Sequence, residues 1–325
     1  MKKHLTTLML LLMVLIMVMT GCANQPAETT EPTAEPTPEA TAAPTAEPTP
    51  EVMTYTDVLG RTIEVKADDK VERIVSLTAA NTEILFALGL QDKIVGVDVY
   101  SNYPAETEAI EKVGDFNGPS VEAVVALEPD LILAGNKLQA TIIEELSNLG
   151  LPVVAVEPTE YEKIGESIQF VGALTHSEDA AQKLVDSMKE KQDAILALPR
   201  DDEEVTSYFV MSAGDFGNWT SGPGSFINDM MISLGMKPIT EIKDGAPWMA
   251  YNLEALVEAD PDVLFLSSQA GVDVDGLKEL TGYKDLTAIK EGRVYVLDAD
   301  IISRTAPRIV DALQAMYDAV YKKAE

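Results

Sequence analysis

Two tryptophans and two glutamates stand out by residue type and spacing. Trp219 lies in GDFGNWTSG and Trp248 in KDGAPWMAY, both polar stretches rich in turn-forming residues. Core tryptophans favour regular elements with dense packing, so two in expected loops point to an aromatic pocket with polar neighbours. Tyr100 and Tyr103, in DVYSNYP, and Phe116, in GDFNG, are further aromatics on polar, Gly- or Pro-flanked loops. The bland alternative for Tyr103 and Phe116 is that they close the edge of a core. Asp300 and Arg304 follow an apolar run at 293–297, past the end of an expected strand. Arg304 either faces a cleft or pairs with a nearby acid. The chemistry open to these residues is binding. No Gly-x-Ser-x-Gly elbow, Walker loop or His-Glu-x-x-His occurs, and no cysteine is placed as a nucleophile. His4 and His176 are the only histidines, too few imidazoles to capture a free transition metal.

The glutamates reveal the frame. Residues 120–133 read SVEAVVALEPDLIL and residues 252–265 read NLEALVEADPDVLF, the same pattern at an offset of 132. Each copy predicts a short helix, a Pro-Asp turn and a buried strand, with Glu122 or Glu254 in the first helical turn. A supersecondary unit repeated across such a gap implies two similar lobes. Between residues 53 and 158, strand and helix signals alternate, with turn or cap residues Leu59-Gly60, Asn81, Gly89 and Gly150 marking boundaries. Asn81 is the expected N-cap of a helix to Leu88. The same alternation returns in 201–325. Two helices are expected in 159–200, the second running to about Leu198 as a stiff strut that permits only small closure. The fold class is therefore α/β, two similar doubly wound lobes bridged by one long helix. In such sheets ligands bind beyond the carboxyl ends of the strands. Gly222 and Gly224, ahead of a helix capped by Ser225, predict a tight turn that lets a ligand approach the backbone.

The chain has 325 residues and a net charge of −30; without Lys2 and Lys3 of the leader the charge is −32. Such acidity excludes nucleic acid as a partner and electrostatic adhesion to anionic lipid. Residues 1–21 combine two lysines with the apolar run Leu5–Met19, short for a membrane span and suited to a signal peptide. They end in Met19-Thr20-Gly21-Cys22, which resembles a bacterial lipobox. Cys22 is the only cysteine, so an internal disulfide is impossible. Lipidation there would hold the protein on the outer face of the cytoplasmic membrane. Residues 22–52 carry that cysteine and a Pro/Thr/Glu-rich tether with too little apolar surface to offset its ordering entropy.

Several segments carry a family resemblance: RIVSLTAANTEILFALGL, VGVDVYSNYP, KVGDFNGPSVEAVVALEPDLILA, TSGPGSFINDM, PWMAYNLEALVEADPDVLFL, GRVYVLDAD and SRTAPRIVDAL. Over about residues 55–323 the chain resembles substrate-binding proteins of ABC importers for cobalamin, ferric siderophores and haem, closest to the cobalamin-binding pattern. The resemblance implies a helical-backbone periplasmic binding protein fold. It implies a monomer that delivers ligand to a permease dimer with a cytoplasmic ATPase. It implies ligand contacts at Tyr100, Phe116, Trp219, Trp248, Asp300 and Arg304. Glu122 and Glu254 match acids that dock each lobe onto permease arginines. No catalytic residue, resident metal or cofactor is implied; the expected cargo is a corrinoid, alternatively a ferric chelate or haem. A chelatase-like enzyme is a distant alternative. Phe116 and Gly135 stand where the cobalamin pattern has tryptophans. Arg304, with Lys137 as a second candidate, supplies little cation for an anionic siderophore; Tyr100 or Tyr103 would have to serve haem as axial ligand.

Overall fold

The computed structural model describes residues 52–200 and 203–322. The leader, Cys22 and the tether to residue 51 lie outside the described residues. β1 (Val52–Thr56) and β2 (Thr62–Lys66) alternate in exposure and pair antiparallel. Asp57 fixes their turn, accepting hydrogen bonds from the Leu59 and Arg61 amides and from the Arg61 Nε.

Next come β3 (Ile74–Ser76), α1 (Ala79–Ala87), β4 (Ile94–Val97), α2 (Val121–Ala126), β5 (Leu131–Ala134), α3 (Ala140–Asn148) and β6 (Val153–Ala155). Their strands are short apolar runs with almost every residue buried, the pattern of parallel strands covered on both faces. They form one parallel sheet in the order β4-β3-β5-β6. α1 starts three residues earlier than the sequence suggests. Thr78 is its N-cap, its side chain accepting from the Asn81 amide. Asn81 is instead buried, and its Nδ2 donates to the Ala134 carbonyl at 3.0 Å, tying α1 to β5. A neighbouring threonine made an equally good cap, and the carbonyl at the end of β5 took the asparagine.

The connection is α4 (Ile164–Leu174) and α5 (Glu178–Leu196). Residues 161–163 form a separate 3-10 turn, so α4 is shorter than the expected helix. Between the two helices His176 takes φ 53° and its Nε2 meets the Asp69 carbonyl at 2.9 Å. α5, about 28 Å long at 1.5 Å per residue, packs against α4. Gly172 permits the close approach, since a Cβ there would lie 2.5 Å from that of Ala181.

The second half contains β7 (Val205–Val210), β8 (Trp219–Ser221), α6 (Phe226–Ser233), β9 (Met236–Pro238), β10 (Trp248–Ala250), α7 (Leu253–Ala259) and β11 (Val263–Ser267). It ends with α8 (Val274–Glu279), α9 (Thr287–Lys290), β12 (Val294–Leu297), α10 (Ala299–Ile302) and α11 (Ile309–Tyr321), which packs on α5. Its parallel sheet has the order β9-β7-β11-β12. Counted by their order within each half, the strands of both sheets run 2-1-3-4. The repeated sequence is thus the unit that enters the third strand of each sheet. The pattern shared by the two copies has a physical cause visible in both. The acid ahead of proline, Glu128 or Asp260, stops the helix with φ 44° or 38°. The aspartate after proline, Asp130 or Asp262, then accepts from backbone amides at the start of the first strand, Glu72 and Arg73 or Thr206.

Candidate functional site

The loops past the strand ends enclose a set of neighbouring cavities. One of about 380 Å³ is lined by Thr78, Asp98, Tyr100, Phe116, Gln269, Asp300 and Arg304, from both halves of the chain. A larger one of about 650 Å³ is lined by Tyr55, Asn136, Lys137, Thr159, Lys163 and Pro247 among others. Glu157 borders both. A third, about 700 Å³, lies past β11 and shares Gln269 with the first. The first two adjoin at Glu157, past the carboxyl ends of the strands, where this topology leaves room for ligands.

Four of the six expected ligand residues lie on the smaller cavity. Tyr100 is 55% exposed and Phe116 is half-buried. The Phe116 carbonyl is held by the Gln139 Nε2 at 2.8 Å, which fixes its loop. Asp300 accepts from the Asn102 Nδ2 at 2.6 Å and from the Arg304 Nη2 at 2.7 Å. Arg304 is buried at 7% exposure and also donates to Glu83 at 2.8 Å and to the Tyr100 carbonyl at 3.2 Å. Its cation is therefore largely committed to protein acceptors. Glu83 binds a second arginine, Arg308, through both carboxylate oxygens at 2.8 and 2.6 Å. The Arg308 guanidinium in turn lies 3.9 Å above the Tyr103 ring. Glu83 and Arg308 escaped the sequence reading. The available signal was an acid immediately before the apolar segment ILFALGL, within the expected helix, which demands a buried partner.

Trp219 and Trp248 are not in loops. They begin β8 and β10, which form an antiparallel ribbon pairing Trp248 with Ser221 and Ala250 with Trp219. The pairing joins segments offset by 29 residues in sequence, with no local signal in either. By that register both indoles belong to one face of the ribbon. Trp219 is 43% exposed, whereas Trp248 is half-buried and stands edge-on to Phe226 with ring centroids 5.2 Å apart. Neither indole lines the three cavities, although Pro247, next to Trp248, lines the one of about 650 Å³. The Gly222 turn is approached by protein rather than left open. Its amide donates to the Pro247 carbonyl at 2.9 Å, and a Cβ there would collide with the Ala246 carbonyl.

Glu122 and Glu254 are both exposed in the first turns of α2 and α7. Ser120 and Asn252 cap these helices, accepting from the Ala123 and Ala255 amides. The two acids hold equivalent places ahead of β5 and β11.

Burial governs the acids of the cleft. Desolvation raises the Asp98 carboxyl above its usual range, against hydrogen bonds from Ser101 and the Tyr100 amide and the charges of Arg304 and Lys112. Glu157 is pushed up to about 7, chiefly by desolvation; the Thr78 hydroxyl opposes the shift, Asp98 adds to it and Arg304 reduces it. Sequence gave no hint of Glu157, because its environment is assembled by loops from four strands. Among the described residues no cluster of three His, Asp or Glu side chains could hold a metal ion. Nor is any described helix long and apolar enough to cross a membrane.

Comparison with known proteins follows the same outline. A family model described as "Periplasmic binding protein" matches residues 74–301. An uncharacterized ABC transporter substrate-binding lipoprotein of Bacillus subtilis, YvrC, is 32% identical over 277 residues, 83% of this chain and 85% of that protein. A vitamin B12-binding protein of Vibrio parahaemolyticus is 30% identical over 257 residues, 76% of this chain and 88% of that protein. The periplasmic heme-binding protein RhuT from Roseiflexus superposes with a TM-score of 0.69 at 25% identity, covering 77% of this chain and all of that one.

Proposed function

The chain belongs to the periplasmic binding protein family, in the class of ABC-importer subunits that serve cobalamin, haem and siderophore uptake, and within that class we propose that its cargo is a corrinoid. It is a transport binding protein and not an enzyme, which sets aside the chelatase alternative. It works outside the cytoplasm with a membrane permease and ATPase.

The observation that carries the ligand proposal is the balance of charge on the cleft wall. The Arg304 guanidinium is taken up by Glu83 and Asp300, while Asp98, Glu157 and Asp300 present carboxyl groups to the smaller cavity. Such a wall suits a large ligand that brings hydrogen-bond donors and no carboxylates. A corrinoid carries peripheral carboxamides, whereas haem brings two propionates and many siderophores bring anionic chelating groups. Tyr100 and Phe116 supply flat apolar contact for a macrocycle. Pockets of about 300–1,000 Å³ hold drug-sized molecules, and a corrinoid, being larger, would extend through two of the adjoining cavities. Trp219 and Trp248 line neither cavity; of their ribbon's surroundings only Pro247 reaches the larger one, so their ligand contact is part of the proposal.

Haem is the second reading, favoured by the exposed Tyr100 phenol at the cavity edge, a ready axial ligand. Lipid attachment at Cys22, a monomeric state and docking through Glu122 and Glu254 complete the proposal. The vitamin B12-binding relative and the lipoprotein relative support it.

A titration of the purified mature protein with cobalamin, haemin and a ferric hydroxamate, followed by tryptophan fluorescence, tests the choice. Cobalamin is expected to quench with the lowest half-saturation concentration of the three. Saturable quenching by haemin or the hydroxamate alone would replace the corrinoid by that ligand.

A further inference from the structure

Glu157 is a carboxyl group placed where two ligand-sized cavities meet, and among the described residues it has no ion-pair partner. Its position depends on Gly135. A Cβ at residue 135 would lie 3.0 Å from the Glu157 Oε2 and 3.2 Å from both the Gln139 Oε1 and the Thr78 Cγ2. A side chain there would displace the carboxyl from the cleft floor. The Gly135 amide is itself satisfied by the Gln139 Oε1 at 2.7 Å, so the backbone beside Glu157 offers no donor to it.

We propose that Glu157 is the specificity-determining residue of this cleft, reading a peripheral carboxamide of the ligand through a paired contact in which the acid O–H donates to the amide carbonyl and the acid carbonyl accepts from the amide N–H. This rests on the corrinoid reading and deepens it. The pairing needs the proton on Glu157. Desolvation already lifts the carboxyl to about 7, and a bound ligand removes more water, raising it further. The charged groups around it are few. Asp98, past β4, faces it and favours the protonated form; Arg304 opposes that, but its charge is shared with Glu83 and Asp300. Lys137, Glu160 and Lys163 line the larger cavity, and Lys163 is paired with Glu166.

The sign follows from linkage. Below pH 7 the free protein already holds the proton, and affinity is independent of pH in this respect. Above pH 7 binding takes one proton from solvent, so the dissociation constant rises toward tenfold per pH unit. Glutamine has the same donor–acceptor face with no proton to lose. Glu157→Gln should therefore bind cobalamin within about threefold of wild type at pH 6. At pH 8.5 it should bind about tenfold more tightly than wild type, with a flat profile. Glu157→Ala should lose about tenfold at pH 6, the worth of one or two hydrogen bonds.

Calorimetric titration of cobalamin at pH 6–9, in two buffers of different ionisation enthalpy, reads both affinity and proton uptake on the wild-type chain without any variant. The expected result is uptake approaching one proton per ligand at pH 8, absent in Glu157→Gln. Cobalamin binding with no proton uptake and a flat wild-type profile would overturn the role of Glu157 while leaving the corrinoid reading intact. A slope retained in Glu157→Gln would do the same. No cobalamin binding at any pH would overturn the corrinoid reading itself.

Discussion

Replacing Glu83 by alanine is expected to lower unfolding stability by about 3–5 kcal/mol, the usual cost of stranding a buried charge. Glu83 is 3% exposed and Arg304 7%, so the Arg304 Nη1 released from Glu83 gains no ready access to water. Arg308 loses the carboxylate that holds both its Nε and its Nη2. The damage joins the two halves, because Glu83 belongs to α1 while both arginines flank the start of α11. Arg304 also positions the Tyr100 carbonyl and Asp300 on the cavity wall. Ligand affinity should therefore fall with stability. Glu83→Gln, which keeps one acceptor, should cost clearly less than alanine. Urea unfolding of the three proteins measures this. An alanine variant within about 1 kcal/mol of wild type would mean that the cluster is not a structural bridge.

The charge reversals Glu122→Arg and Glu254→Arg, made together, are expected to abolish ligand uptake by cells while leaving ligand affinity within about twofold. Both acids are exposed, in matched first turns, and away from the cavities. On the docking proposal each meets a basic side chain of one permease half, so two reversals introduce two like-charge contacts. Each reversal also loses the favourable helix-dipole interaction of about 0.3–1 kcal/mol, a loss the fold tolerates. Uptake that survives the double change would remove these residues from the docking surface. Lost ligand affinity would instead mean that the lobes themselves had been disturbed.

The repeat was the most legible feature of the chain. Helix cap, helix stop and strand entry are all local chemistry, so Ser120, Asn252 and the apolar runs announced them. From there the identical strand order of the two sheets follows with little freedom, since parallel crossovers of one hand dominate. The sequence did not reveal which partner each polar side chain would find. Asn81 looked like a cap but reaches across to the Ala134 carbonyl, a contact spanning 53 residues. Arg304 finds Glu83 across 221 residues. The tryptophans looked like loop residues because each strand of their ribbon is only three residues long and gains its regularity from the other. Glu157 was invisible for a different reason. Its chemistry comes from desolvation by loops that meet only in the folded cleft, and a glutamate before proline carries no mark of that.

The central claim is that the cleft holds a corrinoid, and equilibrium dialysis of the mature protein against aquocobalamin tests it most directly. Corrin absorbance on the protein side is expected to saturate at one ligand per chain at low micromolar concentration. Excess haemin should leave that ratio unchanged. No retained corrin at high micromolar concentration, with haemin retained by the same preparation, would contradict the account.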